Sequence, residues 1–212
     1  MKIEIVSDDL VGTGGYYAIR RFSLRNVRDD GSRSEPYNSD AIVRPHGQDA
    51  VVCVLFARVA TGVRVLVRDG LRPTVYLLRD PAIAPLPEGA PGMFVTELVA
   101  GVIEPGDSLA DRAAAEIREE AGFIVEPASI VGLGAGMFGS PGPLSEKEYF
   151  VAVEVDPAAQ LPLETDGTPM EEAATTRWLD LDDAIAACVR GEINDLRCEI
   201  GLRRLRDALR NC

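Results

Sequence analysis

Three glutamates, Glu116, Glu119 and Glu120, stand three and four residues apart in a run rich in alanine and glutamate. On an α-helix of about 3.6 residues per turn they share a turn. Three carboxylates so close repel one another unless something positive lies among them. Their oxygens are the ligands that hard divalent cations prefer. The plain alternative is a solvated acidic face on an amphipathic helix. Leu109, Ala113 and Ile117 form a second stripe suited to packing on a sheet.

The segment that must position these acids runs from Ala100 to Val125 and reads loop, helix, loop. Gly101, Pro105 and Gly106 punctuate its start, and Gly122 follows the last apolar periodic residue as a helix stop. Asp107 and Ser108 are candidate N-caps.

This stretch resembles the Nudix box, G-x5-E-x7-R-E-U-x-E-E-x-G-U, where U is a bulky apolar residue. Gly101, Glu116, Ile117, Glu119, Glu120, Gly122 and Phe123 occupy their positions. Asp107 stands where the family has Glu, and Ala115 where it has Arg. The preceding Glu97-Leu98-Val99-Ala100-Gly101 is similar to the E-L-P-A-G lead-in of the ADP-ribose and nucleoside-diphosphate-sugar pyrophosphatase branch. The resemblance implies an α/β fold, a Nudix α/β/α sandwich with a mixed sheet, over residues 49–212. A small antiparallel β-sheet over residues 1–48 precedes it and serves dimerisation.

The resemblance also implies a cofactor and a ligand set. Mg²⁺ or Mn²⁺ would be held by Glu116, Glu119 and Glu120 and by the backbone carbonyl of Ala100. A further acid on a distant loop acts as ligand or general base. Glu172 is the favoured residue for that role, with Glu171 beside it; Glu146, near Ser140-Pro141-Gly142, is the second choice. Arg72, in Gly70-Leu71-Arg72, occupies the place of the branch's phosphate-binding arginine, and Arg44 and Glu97 complete the expected substrate contacts. Arg72 can equally be a solvated arginine at a strand edge.

Composition narrows the chemistry. With one histidine, His46, in a turn-like Arg-Pro-His-Gly and no G-x-S-x-G elbow, a Ser-His-Asp triad has no support, and a multi-histidine zinc site is impossible. Cys53, Cys188, Cys198 and Cys212 are scattered without a C-x-x-C pair, which argues against a zinc site or a disulfide framework. The formal net charge of −12 makes nucleic acid an improbable partner, and an acidic chain that handles phosphates needs a bridging cation. No apolar run reaches the roughly 20 residues of a membrane helix, and MKIEIVSDDL does not read as a signal peptide. A cytoplasmic location is the expectation.

Along the chain, strands are expected at 2–6, 16–27 and 41–44, with a turn at Asp29-Asp30-Gly31-Ser32. VVCVLFARV, residues 51–59, reads as a buried strand; 63–67 and 74–78 follow as strands, with a turn at Asp69-Gly70. Residues 80–93, with four prolines, read as a surface loop. Strands are expected at 130–137, 148–155 and 175–179, a loop at 156–172, and terminal helices at 181–189 and 196–209.

Two functions are compatible with this reading. One is a metal-dependent hydrolase that cleaves the pyrophosphate bond of ADP-ribose or another nucleoside-diphosphate sugar, giving a nucleoside monophosphate and a sugar phosphate, as a homodimer acting on a small molecule. The other is a catalytically weakened Nudix-fold protein that binds a nucleotide. The three helix acids favour the first, and Ala115 the second. In the family the missing arginine braces the box. Arg112, four residues before Glu116, is the expected substitute, and Arg118 the alternative. The acids themselves are expected to form a surface-facing cluster.

Overall fold

The computed structural model describes residues 1–12, 16–44, 47–163, 169 and 173–210. They form two compact units. One comprises Met1–Ala50, Val102–Gly106 and Gly136–Glu148; the other comprises Val51–Gly101, Asp107–Ala135 and Tyr149–Cys212.

The first unit is built on an antiparallel sheet of β1 (Lys2–Val11), β2 (Ala18–Val27) and β3 (Tyr37–Val43), in that order. Between β2 and β3 the chain turns at Arg28–Ser32. The Gly31 N–H donates to the Arg28 carbonyl at 3.0 Å, and Gly31 takes φ 80°, a conformation glycine adopts without cost. Every described residue of these three strands is exposed or half-buried.

The second unit contains most of the larger mixed sheet. Its path is β11 (Thr175–Asp180), β5 (Gly62–Leu71), β4 (Ala50–Val59), β10 (Lys147–Glu154) and β8 (Val131–Gly132). β6 (Phe94–Glu97) pairs with β5, and β7 (Val99–Val102) with β4. The short β9 (Met137–Phe138) pairs with Lys147 and Glu148 at the start of β10. The helices are α1 (Pro73–Leu78), α2 (Leu109–Ala121), α3 (Leu181–Arg190) and α4 (Leu196–Arg210).

The unbroken apolar run of β4 follows from its place between two helical layers. Alternate strand residues point to opposite faces. Val52, Val54 and Phe56 join a core with Ala184 and Ile185 of α3 and Cys198, Leu202 and Leu205 of α4. Val51, Cys53 and Leu55 are equally buried but lie outside that cluster, and the Cys53 thiol reaches the Ala113 carbonyl of α2 at 4.0 Å. Both faces are covered, so no polar residue alternates in. This is the α/β/α arrangement that the sequence predicts.

Three local expectations are corrected. Residues 74–78 are helical, not a strand, because Pro73 opens α1 at a position where a missing N–H costs nothing. Asp69 and Gly70 are not a turn: β5 runs on to Leu71, with Gly70 opposite Val95 of β6. The strand expected over 130–137 is two short ones, β8 and β9, separated by Gly134 at φ 93°. Cys53, Cys188 and Cys198 are free and buried. His46 and Cys212 lie outside the described residues. Among the described residues no helix is long and apolar enough to cross a membrane.

Candidate active site

α2 carries the acids, and its ends are fixed by the residues that the sequence marks. Ser108, not Asp107, is the N-cap, its hydroxyl oxygen accepting from the Asp111 N–H at 3.1 Å. Gly122 closes the helix in the left-handed region at φ 72°. Ala113, Ile117 and Ala121 are buried, which sets the rotation of the helix. That rotation also buries Glu116, leaving it 5% exposed, so the acids are not the surface-facing cluster that the spacing suggests. Glu120 is itself mostly covered, its side chain 11% exposed.

Gly101 makes this possible. A Cβ at that position would overlap the Glu116 carboxylate, so only glycine lets β7 approach the acid. Arg112, one turn earlier, forms an ion pair with Glu116. This is the pairing expected of Arg112. Burial nonetheless dominates: it pushes the Glu116 carboxyl up to about 7, against the lowering by Arg112 and with a further upward push from Glu120 and Glu119.

Glu120 is held from two sides. Its Oε2 accepts from the Ala100 N–H at 3.0 Å, and its Oε1 pairs with Arg68 of β5. Arg68 is 5% exposed, and the same nitrogen, Nη1, lies 3.4 Å from Glu97 Oε1. Arg68 and Glu97 are direct cross-strand partners in the β5–β6 register. Glu97 is 1% exposed, and it accepts from Arg72 through both oxygens, at 3.0 Å from Nε and 2.6 Å from Nη2. Gly70 keeps the space for that carboxylate, since a Cβ there would run into Glu97. Arg197 of α4 brings a third guanidinium, its Nη2 at 3.6 Å from Glu97 Oε2. An alternating chain of charge thus runs from the acidic helix through Arg68 and Glu97 to Arg72 and Arg197.

Of the sequence-predicted residues, the structure brings Glu116, Glu119, Glu120, Ala100, Glu97 and Arg72 into one unit. Arg44 belongs to the other unit, where it pairs with Glu146 and lies 5.8 Å from the centroid of the Tyr17 ring. The two line a cavity of about 420 Å³ with Tyr17, Arg20 and Gln48. Glu171 and Glu172 lie outside the described residues. Arg68 and Arg197 were not anticipated. The only signal for Arg68 is a lone arginine after the apolar Val65-Leu66-Val67; Arg197 has none, because α4 reaches the site through tertiary structure alone.

The donor set suits a hard divalent cation: three carboxylates on one helical turn, the Ala100 backbone bonded to Glu120 through its N–H, and a Gly101 cradle that seats the Glu116 carboxylate. The upward push on Glu116 comes first from its burial, with smaller additions from Glu120 and Glu119, and a bound cation would oppose it. Among the described residues no three acids, histidines or cysteines already converge as a metal site; Glu116 and Glu120 are turned to Arg112 and Arg68 instead.

Fold and site together define a class. The chain belongs to the NUDIX domain family, whose model matches residues 57–196, more than half of its length. It is similar to the ADP-ribose pyrophosphatases of Escherichia coli (strain K12) and Shigella flexneri, with 28% identity to each over 154 residues. Those alignments cover 73% of this chain and 64% of each relative, so the chain spans less than two thirds of their length. A solved structure described as an ADP compounds hydrolase has the same fold, with a TM-score of 0.67 over 100% of this chain and 96% of the other, at 16% identity.

Proposed function

We propose that this protein is a divalent-cation-dependent hydrolase of the pyrophosphate bond in ADP-ribose or another nucleoside-diphosphate sugar, releasing a nucleoside monophosphate and a sugar phosphate. The observation that carries this reading is the α2 acid cluster seated against β7, with the Glu116 carboxylate in the Gly101 cradle and Ala100 fixed to Glu120. Glu116, Glu119, Glu120 and the Ala100 carbonyl would hold Mg²⁺ or Mn²⁺. When bound, such an ion neutralises the pyrophosphate and lowers the pKa of its water.

The chain's own residues divide the remaining work. Arg72, held in a fork by Glu97, meets the substrate's phosphate. Glu97, being buried, orients arginines rather than touching substrate. Arg68 holds Glu120 in place. Glu172, with Glu171 beside it, is the acid that takes the proton from the attacking water, and Glu146 is the second choice. Within the other unit, Arg44 beside Tyr17 offers a cation to a phosphate. The protein acts as a cytoplasmic homodimer, with the N-terminal strands at the interface.

The test is a screen of nucleotide sugars with Mg²⁺, Mn²⁺ or EDTA, with the released monoesters detected as phosphate after phosphatase treatment. Cation-dependent release from at least one nucleoside-diphosphate sugar is expected. A second reading, a nucleotide-binding protein without turnover, is favoured by Ala115 and by the pairing of both Glu116 and Glu120 with arginines. Ligand binding with no release under any cation would establish it instead.

A further inference from the structure

We propose that Arg197, in the first turn of α4, is a second anion-binding residue that works with Arg72 as a two-arginine clamp for one phosphoryl group, with the buried Glu97 as the template that holds both guanidiniums in place. For its kinetic consequence the proposal rests on the hydrolase reading; for anion binding it does not.

The geometry begins with Glu97. Its Oε2 accepts from Arg72 Nε at 3.0 Å and lies 3.6 Å from Arg197 Nη2. Two cations that share one oxygen sit within reach of a single tetrahedral anion. A guanidinium carries five N–H donors, and the fork of Arg72 onto Glu97 uses only part of them. Glu97 takes the Nε–Nη2 edge of Arg72, which leaves the Nη1 side to a ligand.

Among the described residues, Glu97 and Asp195, the latter 3.3 Å from Arg197 Nε, meet the pair, and they differ from the arginines in depth. The Arg72 and Arg197 side chains are 39% and 27% exposed, whereas Glu97 and Asp195 are 2% and 13% exposed. The carboxylates lie beneath and the guanidiniums lie toward solvent, so an approaching anion meets positive charge first. Because Glu97 and Asp195 already fix the arginines, little rotamer freedom remains to be lost when a phosphate arrives.

A purely structural alternative exists: Arg197 would simply fasten the start of α4 to β6. The two roles separate in experiment. Arg197→Met removes the charge and keeps the length; Arg197→Lys keeps the charge and loses the fork. Inorganic pyrophosphate, titrated calorimetrically in EDTA at low salt, reads the arginine contribution without any bridging cation.

Arg197→Met is expected to weaken pyrophosphate binding by about ten- to a hundred-fold, the cost of one charged hydrogen-bonding partner, and Arg197→Lys to recover part of it. With a hydrolysed nucleotide sugar, KM should rise by a similar factor while kcat changes little. The melting temperature reports folding separately. Unchanged pyrophosphate affinity in a folded Arg197→Met protein overturns the clamp, as does a failure of the wild type to bind pyrophosphate. If the wild type binds pyrophosphate through Arg197 yet hydrolyses no nucleotide sugar, the clamp stands and the hydrolase reading falls.

Discussion

At the scale of single residues, Glu120 is held by two elements at once, Arg68 of β5 on one oxygen and the Ala100 N–H of β7 on the other. Spacing along one helix places Glu116, Glu119 and Glu120 together whatever surrounds them. It does not reveal that α2 buries Glu116, nor that Arg68 arrives from β5 to meet Glu120. Glu120→Gln therefore has a cost that a surface acid would not carry. It is expected to abolish cation-dependent turnover and also to lower stability by about 1–3 kcal/mol, since a buried guanidinium loses one of its two charged partners. Near-normal turnover in that variant would place the cation elsewhere.

Glu116 carries a pH signature. Its carboxyl is raised from 4.5 to about 7, so the folded protein holds the proton more tightly than the unfolded chain. The stabilising contribution of this group is complete at pH below about 4.5 and is lost as pH rises to about 7, with an upper bound of about 3 kcal/mol. Chemical denaturation at several pH values between 4.5 and 7.5 should show that Glu116→Gln, which has no such proton to lose, flattens the wild-type decline. An identical decline in both proteins counts against the assignment.

Arg112 tests the missing brace, because Ala115 and Asp107 depart from the box together while an Arg112–Glu116 pair is present. Arg112→Ala should lower turnover on the order of 100-fold by letting Glu116 shift by about 1 Å. The melting temperature should fall by only a few degrees, as for a loss near 1 kcal/mol. Ala115→Arg with Asp107→Glu should restore part of the rate. Unchanged turnover in the Arg112→Ala variant of an active protein overturns Arg112 as the brace.

At the scale of elements, periodicity located β4, β10, β11 and α2 to α4 well, because each has a clear apolar pattern or a strong cap. It misread the stretch from Asp69 to Leu78. Asp-Gly is an ordinary turn signal, and Thr-Val-Tyr-Leu-Leu has ordinary strand composition. Gly70 instead stays in the strand because the Glu97 carboxylate occupies the space of its side chain, and Pro73 starts a helix. Local sequence cannot express the first cause; the second is a local signal, since proline suits the first turn of a helix. The approach of β7 to α2 gives the sharpest test at this scale. Gly101→Ala places a methyl where the Glu116 carboxylate lies, so the acid must rotate or the helix must move. The expected result is a loss of about 1–3 kcal/mol in denaturant unfolding together with loss of turnover. A variant with wild-type stability and activity would mean that strand and helix do not meet as described.

At the scale of the whole molecule, the N-terminal sheet poses the open physical question. None of the described residues in β1, β2 and β3 is fully buried, while Ile3, Ile5, Val6, Leu10 and Ile19 are 42–60% exposed. A three-stranded sheet without a covered face is marginal in water. Its internal ion pairs, Arg20 with Asp8 and Arg21 with Asp40, are exposed and add little. A second copy of the chain would cover the apolar residues and share the cost of the sheet between two protomers. Light scattering at micromolar concentration should then give twice the 22.8 kDa of one chain. Ile3→Asp with Ile5→Asp puts two charges on one side of β1, since alternate residues share a face. Those charges should shift the mass toward the monomer at the same concentration, whereas Glu120→Gln, on α2, should leave it dimeric. A wild-type protein that runs as a monomer, or a double-aspartate variant that stays a dimer, removes the sheet from the interface.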